Sequence, residues 1–193
     1  MTTITAASTV QDDTTWLRRT HLSLALGILG VLAMAVGMLM TRNEHQAEGY
    51  AYQGIGDYIL TASALPQGVG LFLATLGFHR LQHGRDGRLG TVGVWIYGLC
   101  LLELVIQCMT GVVLGYETIW GPAYPLFSLG LLVGLALLAG GSWNVGLLPR
   151  WMLAVWPPLG VFGSFFGLGP IPLVFAGFLV ALAVVLARRV PRV

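Results

Sequence analysis

The chain has 193 residues, 56% of them hydrophobic and 9% charged, with a net charge of +2. Soluble domains are typically about one-quarter charged, so this composition excludes a water-soluble fold and leaves no polar stretch long enough for a separate soluble domain. All ten basic residues are arginine, which suits a high-GC genome, and no nucleic-acid partner is expected.

Residues 1–20 are threonine-rich and carry Asp12 and Asp13 before Trp16, with no basic n-region or apolar core. A cleaved secretory signal is not expected; the segment reads as a mobile cytoplasmic tail. A bilayer core of about 30 Å needs roughly 20 apolar residues in helical form, because lipid offers no partner for open backbone groups. The first such run is 21–40, where Ser23, Gly27, Gly30, Ala33 and Gly37 recur at steps of three and four. Small residues at that spacing let helices approach closely, and the reading favoured here is contact within the bundle rather than a dimer face.

The loop 41–57 contains His45, Glu48 and Asp57 beside Tyr50 and Tyr52. These residues could cap a cavity as outer-loop partners, but ordinary solvated loops look the same, and no metal site is expected. The second span, 58–78, has Ser63 and Gln67 one turn apart, with Pro66 freeing a backbone carbonyl near the midplane. After it, His79 and His83 stand at i and i+4 with Arg80, Arg85 and Arg88 close by. No third metal ligand follows, so this cluster reads as a basic collar for lipid phosphates.

The third span, 91–114, holds Glu103 near its centre, where a carboxyl group costs several kcal/mol (roughly 2.5–3.5 on insertion scales) unless protonated, paired or wet. Cys100, Glu103, Gln107, Thr110 and Gly111 share one helix face by their spacing. That stripe is expected to look into the bundle and to meet Gln67 and Ser63. Two readings stay open: hydrogen-bonding glue, or a carboxyl that binds a ligand, relays a proton or serves as a general acid.

A fourth span, 122–140, carries Gly130 and Gly134 in GxxxG spacing. The apolar stretch beyond it is broken by Pro157-Pro158 and by the Gly/Pro-rich run 167–172, giving a fifth span at 151–166 and a sixth at 171–187, both short. With six crossings and the amino terminus inside, every arginine except Arg42 falls on the cytoplasmic side, including the basic tail 188–193. The two cysteines, Cys100 and Cys108, lie about 12 Å apart along one helix and cannot pair.

The expected fold is therefore an all-α polytopic bundle of six transmembrane helices, a single domain over 21–187 with both termini cytoplasmic. The short loops, the Leu147-Leu148-Pro149-Arg150-Trp151 junction and the two compressed final spans resemble small multi-pass membrane proteins of high-GC bacteria. That resemblance concerns architecture, implies the inner membrane, and carries over no site residue. The expected function is binding or transport of a small or lipophilic ligand near Glu103, Gln107, Gln67, Ser63 and Thr110. An intramembrane enzyme acting on a lipid or isoprenoid and an accessory subunit of a larger membrane complex are the alternatives. Membrane lipids and the small or lipophilic ligand are the expected partners, a homo-oligomer or partner membrane subunits are further candidates, and the sequence leaves any cofactor open.

Overall fold

The computed structural model describes residues 3–41, 49–118, 123–164 and 169–190, with side chains from residue 12 onward. His45, Glu48 and Arg42, together with Trp120 and Phe165, lie outside the described residues. Every regular element described is a helix: α1 (Thr3–Met40), α2 (Ile55–Ala62), α3 (Ala64–Arg80), α4 (Gly87–Leu114), α5 (Ala123–Ser142), α6 (Arg150–Phe162) and α7 (Ile171–Arg189). Among the described residues, five stretches are long and apolar enough to cross a membrane: Asp12–Met40, Ile55–Arg80, Gly87–Leu114, Ala123–Ser142 and Ile171–Arg189.

The segment 1–20, expected as a tail, differs from that reading. It is helical from Thr3 and runs into the first span without a break. No glycine or proline interrupts the chain before Gly27, and Leu17 and Thr20 are buried against the bundle. The second span is α2 and α3 in series. Pro66 lacks an N–H, yet Ser63 N donates to Ile59 O and Gln67 N to Ser63 O, so the two pieces stay nearly continuous.

The helices pack in chain order around a closed ring, each against the next and α7 back against α1. The tightest seams, α1–α3 and α4–α5, are the ones that sequence spacing marks with small residues. Gly30 lies against the Gln67 backbone, Gly27 against Gly70, and Gly37 against Leu60. Gly134 faces Gly93 and the Tyr97 backbone across α4–α5, while Gly130 makes room for Cys100. Both stripes are thus seams inside the chain. Outward faces are strongly apolar, as Leu29 at 62% and Val113 at 83% exposure illustrate, and such surfaces need lipid or a partner to cover them.

α6 has 13 residues, about 20 Å by helical rise, and runs through Pro157 and Pro158. Its Trp156 crosses the ring to Phe78 of α3, with ring centroids 5.4 Å apart in an edge-to-face contact. Gly160 and Gly163 admit Leu135 of α5 and Phe175 of α7. The start of α1 and the end of α7 share one end of the bundle, where His21 Nε2 contacts the Ala183 carbonyl at 2.9 Å.

Candidate functional site

The midplane does not assemble as its residues suggest. Glu103 is half-buried, and its hydrogen bond comes from Gln107 Nε2, one turn along the same helix, at 3.4 Å. The buried residues of α4 nearby are Leu101, Leu104, Val105 and Gln107. At 100° per residue, Glu103 sits on the flank of the helix, between the exposed Leu99 and the α5-facing Cys100. The expected link to Gln67 is absent. Gln67 is 1% exposed, and neither its Oε1 nor its Nε2 has a hydrogen-bond partner among the described residues.

The other expected contributors turn to their own backbone. The Ser63 hydroxyl donates to Leu60 O at 2.6 Å and the Thr110 hydroxyl to Ile106 O at 2.8 Å. Asp57 caps α2, accepting from Gln53 N and Gly54 N on one oxygen and from the Thr41 hydroxyl on the other. Carboxylates in the first helical turn are favoured there by the exposed N–H groups. Ser63, Thr110 and Asp57 are therefore accounted for by local structure.

At the far end from the basic loops, residues 49–52 pair with 115–117 through Gly49 N to Glu117 O, Glu117 N to Tyr50 O and Tyr52 N to Gly115 O. Tyr52 packs edge-on against Tyr58, and burial pushes its phenol up to about 12. Burial likewise raises the Glu117 carboxyl above its ordinary range, with the Asp57 charge adding to the effect.

A polar constellation with room for a ligand lies at the basic end; a second polar-lined space, of about 400 Å³, lies at the opposite end beside Asp57, Thr41 and Gln53. α3 and α4 are joined by the turn His83-Gly84-Arg85-Asp86-Gly87, in which His83, Gly84 and Gly87 all have positive φ. His83 does so at +53°, a conformation that a non-glycine residue adopts at some cost. The tight turn folds Asp86 back on His79, seven residues earlier, with Nδ1 2.6 Å from Oδ2. Gln82 Nε2 reaches the same oxygen at 3.4 Å. The carboxyl group is lodged where Gly90 has no side chain, since a Cβ there would overlap it. Asp86 is fully buried at its side chain while His79 keeps 17% exposure.

His79 borders a cavity of about 640 Å³ with Arg80, His83, Arg88 and Thr91, closed from the α1 side by Asp12 and Trp16. Asp13 Oδ1 lies 2.8 Å from His83 Nε2. The guanidinium groups of Arg19 and Arg80 sit over the Trp16 ring at 5.3 and 5.9 Å, a favourable cation–π arrangement. Because Asp86 takes Nδ1, the Nε2 of His79 is the ring atom left to meet a ligand. No cluster of three or more metal-ligating side chains exists among the described residues.

Along the same hairpin, the α3–α4 seam opens into an apolar groove of about 230 Å³ lined by Val69, Phe72, Trp95, Gly98, Leu99 and Leu102. None of Glu103, Gln107 or Gln67 borders it. The two spaces share a face of α4. Arg88, Thr91 and Val92 border the cavity, and Trp95, Leu99 and Leu102 continue at helical spacing into the groove.

Sequence reading found the two histidines and the arginines of this site but missed three things: the His79–Asp86 pair, the acidic residues supplied by α1, and the groove. The signal for the first was an aspartate in a glycine-containing turn, between Gly84 and Gly87, seven residues after a histidine at a helix end. Comparison of the chain with protein-family models, with curated proteins and with solved structures gives no match.

Proposed function

We propose that this chain is a multi-pass membrane protein that binds an amphiphile bearing an anionic phosphate headgroup. The headgroup occupies the cavity between Arg80 and Arg88, and the hydrocarbon chain lies in the α3–α4 groove. The observation that carries the reading is the succession of the two spaces along one face of α4, Arg88, Thr91 and Val92 bordering the cavity and Trp95, Leu99 and Leu102 the groove. From Arg88 to Leu99 the helix rises about 16 Å, the span from a phosphate into the upper half of one leaflet. Arginine suits the phosphate because its fork of donors pairs with two oxygens at once. This ligand is lipophilic, as the sequence suggests, but its site is displaced from Glu103 to the membrane surface.

The same reading places the basic end at the cytoplasm, both termini included, since cytoplasmic loops collect arginine. Arg80, Arg85, Arg88, Arg150, Arg188 and Arg189 support it by lying on loops or helix ends at that side of the ring. α6 then serves as a sixth, short crossing through a locally thinned leaflet, in the inner membrane of a bacterium.

Native mass spectrometry of the detergent-purified chain tests the binding. Retained phospholipid that is lost in Arg80→Gln/Arg88→Gln supports it, and equal lipid retention by the variant argues against it. A second reading, an enzyme acting on the headgroup, draws on the His79–Asp86 pair, because a carboxylate on Nδ1 is how an imidazole is oriented as a general base. Turnover of the bound lipid on incubation would separate it from binding alone.

A further inference from the structure

We infer that the headgroup cavity takes up its anion together with protons, so that occupancy rises as pH falls. The inference rests on the phosphate-lipid reading above and concerns how that site is regulated. Among the described residues, the charged groups facing the two imidazoles come from three helices and one turn. From α1 come Asp12 at the cavity wall and Asp13 on His83; from α3, Arg80; from the turn, Asp86 on His79; and from α4, Arg88. Arg19, which shares the Trp16 ring with Arg80, and Arg85, whose Nε donates to the Gln82 carbonyl, do not border the cavity and add charge that does not vary with pH.

The two lining arginines face three carboxylates, a formal net of −1 when both imidazoles are neutral. Protonating both turns the same cluster to +1. A phosphate arriving at the neutral cluster meets the carboxylates of Asp12 and Asp13 with too few cations to offset them. Arriving at the protonated cluster, it finds His79 and His83 as added donors. The histidines are the switching elements because imidazole is the side chain that changes charge between about pH 5 and 8. Thermodynamic linkage requires the converse: anion binding draws protons onto the site.

Phosphatidylglycerol is a suitable probe, because its phosphodiester keeps one charge throughout this range and any pH dependence belongs to the protein. Fluorescent phosphatidylglycerol titrated into the detergent-solubilised full chain is expected to bind at least about tenfold more tightly near pH 5.5 than near pH 8. Asp13→Asn, which removes the charge beside His83, should tighten binding at the higher pH. His79→Gln/His83→Asn should bind weakly and without pH dependence, asparagine being chosen because it tolerates the left-handed backbone of residue 83. Binding that is equally tight at both pH values, yet weakened by Leu102→Trp in the groove, would overturn the proton coupling and leave the lipid site standing. An absence of binding at either pH would overturn both. Inorganic phosphate as competitor separates headgroup from whole lipid: displacement at millimolar levels or below would mean that a free anion is the ligand and would overturn the lipid as the coupled species.

Discussion

Gly30 of α1 rests directly on the backbone of Gln67 in α3, so close that a single added methyl group would overlap main-chain atoms. Backbone cannot move aside as a side-chain tip does, and overpacking of this kind costs roughly 1–3 kcal/mol. Gly30→Ala is therefore expected to lower the thermal midpoint in detergent. Gly177 of α7 has open space around its Cβ position, and Gly177→Ala should raise the midpoint slightly, since alanine is the better helix former by up to about 1 kcal/mol. Equal effects of the two substitutions would contradict the close α1–α3 seam.

Gln67 leads to a second expectation. A buried amide without partners costs about 1–3 kcal/mol relative to an apolar group of the same shape. Gln67→Met, close in volume, should stabilise the fold by an amount of that order. A loss of stability would mean that the amide holds something in the native protein, such as a bound water.

For Glu103 the structure gives a modest role. Its partner is Gln107 on the same helix, and intramembrane hydrogen bonds average about 0.6 kcal/mol. Glu103→Gln should shift the midpoint little and leave lipid binding at the Arg80–Arg88 cavity unchanged. Lost binding in this variant, with the fold intact, would return the site to the midplane.

Glu117 makes stability depend on pH. Its carboxyl is raised by burial and by Asp57, so the folded state favours the protonated form. That contribution is complete below the ordinary carboxyl range of about 4.3 and is lost as pH rises through the higher folded value. Thermal midpoints measured from acid to neutral pH should show the wild type falling relative to Glu117→Gln as pH rises. Parallel curves would show that Glu117 does not titrate differently on folding.

Sequence alone disclosed the apolar spans and the small-residue seams because both depend on local spacing that any helix must obey. The rotation of α4 about its axis was not legible. Cys100, Glu103 and Gln107 share a stripe, yet a stripe at the edge of a seam and one at its centre have the same periodicity. Only the packing of Gly93 and Gly134 fixes which residues turn inward. The His79–Asp86 contact was hidden for a different reason: it depends on three left-handed positions, His83, Gly84 and Gly87, within one short turn, a geometry that the identity of the residues permits without specifying. Asp13 meets His83 because α1 is one unbroken helix from Thr3, where composition had suggested a tail.

The lipid site is tested most directly by an experimental density map of the chain in nanodiscs containing phosphatidylglycerol. Phosphate-sized density between the Arg80 and Arg88 guanidinium groups, continuing as a chain along Phe72, Trp95 and Leu99, is the expected result. Clear side-chain density around a cavity that holds no phosphate, with the groove closed or filled by protein, would contradict it.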